Sequence, residues 1–214
     1  MSFELAAVDP PDAGDLVRQV DFPSMQEGPL YRIMFPDSST LAVDQREEIV
    51  QWYISGLEET LLRGKEKFQQ IRMQDGTPIG FCGWMLDRAE QSEAQPVRPR
   101  RHNLLPETLD LQAWGQVSAD LRAERERCLA GLQNVCRLTF MGVHPDHQRQ
   151  GAGSLLMQWF CEQVDRSQRF AFVMASPAGI RLYEKFGFKT VGVVSSQKGH
   201  FTSMLRRPRG VFTT

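Results

Sequence analysis

Residues 142–153 read GVHPDHQRQGAG and join an apolar stretch to a helix-like one. The stretch before them, Val135–Val143, predicts a β-strand, and residues 151–166 carry the apolar stripe of an amphipathic helix. The first N–H groups of such a helix have no partner within it and lie at the positive end of its dipole. Gly151 and Gly153 also leave the backbone open to a close approach. This loop therefore predicts an anion site, best suited to a pyrophosphate.

Two common phosphate-binding motifs do not match this loop. A P-loop needs Lys and Ser or Thr after its glycines, whereas Ser154 and Leu155 follow Gly153 here. A dinucleotide-binding turn needs a third glycine, which Leu156 replaces. The alternative that the two glycines only ease a tight turn from strand to helix stays open.

Outward from this loop, strand-like and helix-like stretches alternate, which is typical of a mixed α/β sheet. Residues 21–43 are rich in proline, serine and aromatic residues and predict an irregular segment, and residues 89–106 predict a long surface loop. The predicted strands are 3–8, 67–73, 79–87, 135–143, 170–175, 188–195 and 200–205, and the predicted helices are 44–62, 107–132, 151–166 and 178–186.

Composition excludes several classes of protein. The chain has 214 residues with 25 Lys and Arg against 26 Asp and Glu, a balance that disfavours binding to nucleic acid by bulk charge. No apolar run approaches the length of a membrane helix, and the N-terminus lacks the pattern of a secretory signal. We therefore expect a cytoplasmic protein, with the nucleus as an alternative. The four cysteines, at 82, 128, 136 and 161, occur singly and are expected to be reduced.

Residues 138–187 resemble the core of the GNAT superfamily of acyl-CoA-dependent N-acetyltransferases. The cofactor motif of that family, Q/R-x-x-G-x-G/A, is matched by residues 148–153. A second family motif, LYxxxGF, is matched by residues 182–188, which follow in the expected order. The resemblance implies a GNAT-like α/β fold: a mixed sheet of about seven strands flanked by helices, with the central parallel pair splayed around the pantetheine arm of CoA. It also implies one domain over residues 1–214, with a loop and helix inserted at about 89–133 between the third and fourth strands.

The resemblance further implies roles for individual residues. Tyr183 corresponds to the tyrosine that protonates the departing CoA thiolate, and a phenol of ordinary pKa near 10 suits that task. Ser176 stands where many members have asparagine, and its hydroxyl is expected to contact the cofactor arm. The other expected cofactor-binding residues are Met141, Gly142, Val143, Gln148, Arg149, Gln150, Gly151, Ala152 and Gly153.

The implied reaction transfers an acetyl group from acetyl-CoA to a primary amine by direct attack in a ternary complex. The acceptor is expected to be a small molecule or a peptide, with no nucleic acid, membrane or metal involved. The rival hypothesis is a CoA-binding sensor or scaffold without catalysis. The sequence leaves the oligomeric state and the acceptor unassigned.

For several other residues the sequence leaves alternative roles open. The general base has no clear candidate, and His144, His200, Asp110 or a water chain are the options. Cys136 is expected to be a core thiol rather than a nucleophile, since it alternates with Leu138 and Phe140 on one strand face. Aromatic residues of the segment 21–43, with two tryptophans, either line an acceptor pocket or pack onto the core: Phe22, Tyr31, Phe35, Trp84 and Trp114.

Overall fold

The structure is a computed structural model that describes residues 3–87 and 105–210. Its seven strands are β1 (Glu4–Ala7), β2 (Lys67–Arg72), β3 (Pro78–Asp87), β4 (Val135–Val143), β5 (Phe170–Ala175), β6 (Lys189–Ser196) and β7 (Gly199–Arg206). They form one sheet in the order β1-β2-β3-β4-β5-β7-β6. Only β4 and β5 pair in parallel among these strands; the other neighbours are antiparallel. The predicted mixed sheet of about seven strands is confirmed.

The helices within the described residues are α1 (Ala13–Leu16), α2 (Phe22–Met25), α3 (Pro29–Met34), α4 (Val43–Arg63), α5 (Leu111–Leu129), α6 (Ala152–Arg166) and α7 (Ile180–Lys185). A π-helical turn, Val17–Asp21, joins α1 to α2. The prediction that residues 21–43 are irregular is wrong, because α2 and α3 lie there. Both helices are short and have a proline in their first turn, so they show too few apolar repeats to be recognised. Most of the predicted 89–106 loop lies outside the described residues.

The two faces of the sheet are covered by different helices. Helix α6 packs on one face through a buried stripe that includes Leu156, Phe160 and Val164, against apolar residues of β3, β4 and β5. Helix α1 and the π turn pack on the other face, where Leu16 and Val20 contact Phe81. Helix α4 packs against α1 and the π turn and so forms a further layer on this face. Burial of both faces is the main source of stability of this α/β arrangement.

A β-bulge in β4 changes which side chains face which helices. Gly83 pairs with Phe140 and Trp84 pairs with Leu138, so Thr139 is the extra residue. Cys136 and Leu138 belong to the core beneath α6, whereas Phe140 stacks on Phe81 on the opposite face. The prediction that Phe140 shares a face with Cys136 is therefore wrong, and the bulge is the reason.

Candidate functional site

A cavity opens where the two parallel strands separate. Strands β4 and β5 pair only at Val135–Phe170, Cys136–Ala171 and Arg137–Phe172, although both strands continue beyond these residues. Past that point the strand edges diverge around a cavity of about 640 Å³. That volume lies in the range of small-molecule and cofactor sites. The central parallel pair is splayed, as the resemblance implied.

The cavity wall on the β4 side consists of residues 138–143. The predicted residues Met141, Gly142 and Val143 are among them. On their other edge these three residues pair with Cys82, Phe81 and Gly80 of β3, so β3 holds the strand in place. Their β5-facing backbone groups lie beyond the paired region and face the cavity. This edge can offer main-chain hydrogen bonds to an extended ligand.

The loop between β4 and α6 brings its glycines to one end of the cavity. Gly151 is the N-cap of α6 and has φ 98°, a left-handed conformation that suits glycine. Arg149 also has positive φ, at 63°, so the chain turns sharply at both positions. Arg149, Gly151 and Gly153 line the cavity. The free N–H groups of the first turn of α6 and the Arg149 guanidinium make this end suitable for an anion.

Two glutamines of this loop brace it in the structure. The Gln148 side chain donates from Nε2 to the carbonyl of Val143 at 3.1 Å, and Gln150 donates to the carbonyl of Asp146 at 2.9 Å. Gln148 still lines the cavity, whereas Gln150 and Ala152 do not. Ala152 is buried beneath the helix start. Contact of these residues with a cofactor stays a prediction.

Tyr183 projects from α7 into the cavity from the β5 side. It is 5% exposed, packs beside Phe188 with ring centroids 5.8 Å apart, and lines the cavity with Leu182 and Gly179. Burial, with a smaller contribution from Cys82, raises the pKa of Tyr183 above its ordinary value. The phenol therefore keeps its proton near neutral pH and can act as a proton donor. The raised pKa also makes this phenol a weaker acid than the ordinary tyrosine expected from the sequence.

Ser176 lies in the cavity wall just after β5, and its carbonyl accepts a hydrogen bond from the Gly179 N–H at 3.0 Å. Two basic residues that the sequence analysis missed, Arg181 and Lys185, lie one helical turn apart at the exposed rim. Lys185 Nζ lies 3.5 Å from Ser154 Oγ of α6. Their spacing of four residues puts both side chains on one face of α7, which was the signal that could have revealed them as a pair. With Arg149 they make the rim electropositive.

The other wall of the cavity comes from the segment predicted to bind the acceptor. Ser24 and Met25 of α2, then residues 28–31, line it. Of the aromatic candidates only Tyr31 does so. Phe35 is 1% exposed and packs with Tyr31 and Trp52, while Phe22 packs edge-on to Tyr31. The two tryptophan candidates lie in different parts of the structure. Trp84 lies in the core under α6, and Trp114 packs on Trp52.

None of the three named candidates for a general base is among the residues that line the cavity. His144 Nδ1 accepts a hydrogen bond from the Asp146 N–H at 3.2 Å, and Asp110 caps α5 by accepting from the Ala113 N–H at 2.8 Å. His200 pairs with Ser195 in the β6–β7 ladder. These contacts give His144 and Asp110 local structural roles.

The buried cysteines are the expected reduced core thiols. Cys82 and Cys136 are fully buried, Cys161 is 6% exposed, and all four cysteines are free. Burial raises the pKa of Cys136 and Cys161 to about 11, which suppresses the reactive thiolate. Over residues 3–87 and 105–210, no group of three His, Cys, Asp or Glu side chains is placed to hold a metal ion. No helix in those ranges is long and apolar enough to cross a membrane.

The part of the chain that forms this site is similar to a known family. Residues 112–190 match the family model of the acetyltransferase (GNAT) domain, which covers α6, the glycine loop, β5 and α7. This part of the chain is therefore similar to the GNAT acetyltransferase domain. No curated protein is similar enough in sequence to count as a relative.

Solved structures extend the GNAT likeness over the whole chain at the level of fold. A protein of Corynebacterium glutamicum described as histone acetyltransferase HPA2 and related acetyltransferase is 16% identical, with a TM-score of 0.61 over 100% of both chains. The mosquito arylalkylamine N-acetyltransferase-like protein 5b is 14% identical, with a TM-score of 0.63 over 96% of this chain and 100% of that one. The PaiA N-acetyltransferase of Thermoplasma acidophilum, solved with coenzyme A, is 12% identical, with a TM-score of 0.54 over 97% and 99%.

Proposed function

We propose that this protein transfers an acetyl group from acetyl-CoA to a primary amine. The observation that carries the proposal is the cavity between β4 and β5, which has the α6 glycine loop at one end and Tyr183 in its wall. An extended slot that ends at the N-terminus of a helix suits the pantetheine arm and pyrophosphate of CoA. We take residues 1–214 as one acetyltransferase domain, with 89–133 as an insertion.

The anionic end of CoA is assigned to the electropositive rim. Backbone N–H groups from Gly151 to Gly153 would bind the pyrophosphate, with Arg149 beside them. Arg181 and Lys185 lie at the cavity rim, with Lys185 beside Ser154 in the first turn of α6, and would neutralise further phosphate charge. Backbone groups of residues 141–143 would hold the pantetheine amides, and the Ser176 hydroxyl would bind the arm from the β5 side.

The proposed reaction uses the groups around the gap between β4 and β5. A strand-edge N–H at Met141–Val143 would polarise the thioester carbonyl and stabilise the oxyanion that forms when the amine nitrogen bonds to its carbon. The C–S bond then breaks, and Tyr183 gives its phenolic proton to the sulfur as CoA leaves. Solvent returns a proton to Tyr183, and the nitrogen releases its surplus proton.

The test measures free thiol released from acetyl-CoA in the presence of a panel of small primary amines and of peptides with free N-termini. The proposal expects release that depends on the amine, with an acetylated amine detected by mass spectrometry. CoA binding without amine-dependent release would favour the rival sensor or scaffold hypothesis. An absence of CoA binding would contradict both.

A further inference from the structure

A second cavity, of about 360 Å³, lies on the face of the sheet that carries α1 and α4. The π turn, α4, the start of β2 and the bulged part of β4 surround it. Five aromatic rings line it: Trp52, Tyr53, Phe68, Phe81 and Phe140. A concave, mostly apolar space of this size with a few polar groups is typical of a small-molecule site.

Asp21 is the buried acidic residue of this cavity. Its side chain lines the cavity at 7% exposure, and Oδ1 has no hydrogen-bond partner among the residues that the structure describes. Burial without such a partner raises the pKa of Asp21 to about 7. A buried carboxylate is costly unless a cation or donors satisfy it. A cationic ligand would satisfy the ionised form of this carboxylate.

The local sequence explains the π turn that ends at Asp21. Pro23 has no N–H to offer the carbonyl of Gln19, and its ring crowds that carbonyl. The helix widens into the π turn Val17–Asp21, which ends at Asp21, and Ser24 Oγ donates to the Asp21 carbonyl at 3.0 Å. Single π turns inside helices occur frequently at functional sites.

The second cavity adjoins the first at the β4 bulge. Thr139 and Phe140 line both cavities. Ser24, which is bonded to Asp21, also lines the first cavity and lies against Gly142, where an added Cβ would stand 2.8 Å from Ser24 Oγ. The two cavities thus adjoin at the bulge of β4, which is one of the two splayed strands.

Among the described residues that line the second cavity, the other charged side chains are Glu66 and Arg137. Glu66 accepts a hydrogen bond from Thr139 Oγ1 at 2.5 Å, and Arg137 donates from Nη2 to Met85 Sδ at 2.9 Å. Tyr53 is the other titratable group in the lining. The aromatic faces attract a cation and accommodate an apolar arm. The combination favours a protonated amine with an aromatic or otherwise apolar substituent.

We infer that this second cavity binds the amine acceptor as an ammonium ion with an aromatic arm, and that Asp21 is the residue that binds the ammonium group. The inference rests on the proposed function. Asp21 takes one proton from the ammonium, which leaves a neutral amine and a protonated carboxyl. The freed lone pair forms the C–N bond to the acetyl carbon where the two cavities adjoin at Thr139 and Phe140, and the C–S bond then breaks as Tyr183 protonates the sulfur of CoA. The nitrogen loses a second proton to water, and Asp21 later releases its proton to solvent.

The experiment compares a charged ligand with its neutral analogue. Calorimetric titrations at pH 8, in saturating CoA, measure binding of 2-phenylethylamine and 2-phenylethanol to the wild type, to Asp21→Asn and to Asp15→Asn. Asp15 is an exposed carboxylate on α1 and serves as the matched control. Asp21→Ser is the second variant, in case the asparagine amide disturbs folding, and circular dichroism verifies the fold of each protein.

The wild type and Asp15→Asn are expected to bind the amine at least about tenfold more tightly than the alcohol, since a charged hydrogen bond contributes that much. Both Asp21 variants are expected to lose this preference. A preference retained by the Asp21 variants, or absent from the wild type, overturns the inference, whereas CoA binding in a separate titration of the wild type with CoA alone leaves the proposed function standing. Loss of CoA binding by the wild type overturns both.

Discussion

The ring of Tyr183 lies directly over Gly179, one helical turn earlier. A Cβ on Gly179 would stand 2.8 Å from Cε2 of that ring, closer than real contacts allow. The absence of a side chain at residue 179 therefore lets Tyr183 occupy its place in the cavity wall, between the splayed strands and Phe188.

Removing the phenolic hydroxyl tests Tyr183 as the proton donor. We expect Tyr183→Phe to lower kcat for amine-dependent thiol release by about 100-fold, because general acid catalysis contributes on that order. The affinity for CoA should stay within about threefold, since the ring remains. Gly179→Ala, which displaces the ring but keeps the hydroxyl, should give a smaller fall. A wild-type kcat in Tyr183→Phe would remove this residue from the mechanism.

A side chain at the start of α6 tests the anion site. Gly151→Val forces valine into a left-handed conformation and places its side chain at the cavity, so we expect affinity for CoA to fall at least about tenfold. Gly64→Val is the matched control, because Gly64 has φ 62° at the end of α4 and does not line the cavity. Calorimetric titration with CoA measures both. Equal losses in the two variants would mean that strain, and not the site, explains the effect.

The buried ion pair between Arg206 and Asp165 tests the account of stability. Arg206 is 3% exposed and donates to both Asp165 oxygens at 2.7 Å, tying β7 to α6. We expect Asp165→Asn to lower the free energy of unfolding by about 3 kcal/mol, since it leaves a buried guanidinium without its counter-charge. Glu162→Gln, which breaks an exposed pair with Arg166 on the same helix, should cost under about 1 kcal/mol. Urea denaturation distinguishes the two, and equal effects would contradict this account.

The pH dependence of the Asp165 contribution has a definite sign. Burial by itself would raise the pKa of Asp165, but hydrogen bonds from Arg206 and from the Arg209 N–H outweigh it and hold the pKa below its ordinary value. A lowered folded-state pKa stabilises the protein above the unfolded-state pKa. The stability difference between wild type and Asp165→Asn should therefore shrink as the pH falls through the folded-state pKa. A difference that stays constant into that range would contradict the pairing.

The contribution of Asp21 to stability depends on pH with the opposite sign. Its pKa rises from 3.8 to about 7 on folding, so between these values the unfolded chain releases a proton that the folded protein keeps. The contribution of Asp21 to stability is most favourable below pH 3.8 and is lost as the pH rises towards 7. We expect Asp21→Asn to be more stable than the wild type at pH 8, with the gain disappearing towards pH 5. Urea denaturation at both pH values checks this, and a wild type that is equally stable or more stable at pH 8 would contradict it.

The sequence predicted the positions of the seven strands along the chain and the glycine loop because both depend on local patterns. The alternation of apolar residues in a strand and the apolar stripe of α6 can each be recognised within one segment. A glycine at residue 151 likewise indicates the left-handed backbone conformation found there. The short helices α2 and α3 were missed because each has fewer than two turns and so shows no period.

The bulge and the second cavity depend on distant parts of the chain. Thr139 is recognised as the extra residue only from its partners Gly83 and Trp84 on β3. Asp21, Trp52 and Glu66 come together only after the π turn, α4 and the start of β2 have packed. No spacing along the chain predicts that these three residues lie close together. Arg181 and Lys185, in contrast, could have been paired from their spacing of four residues on one helix.

Thermal unfolding of the wild-type protein with acetyl-CoA, CoA or NAD tests the central claim, that the splay between β4 and β5 binds acyl-CoA. A ligand at about one hundred times its Kd adds about 2.7 kcal/mol to the free energy of unfolding, which gives a clear rise in Tm. The account predicts that acetyl-CoA and CoA raise the Tm and that NAD leaves it unchanged. No shift with either CoA species, or an equal shift with NAD, would contradict it.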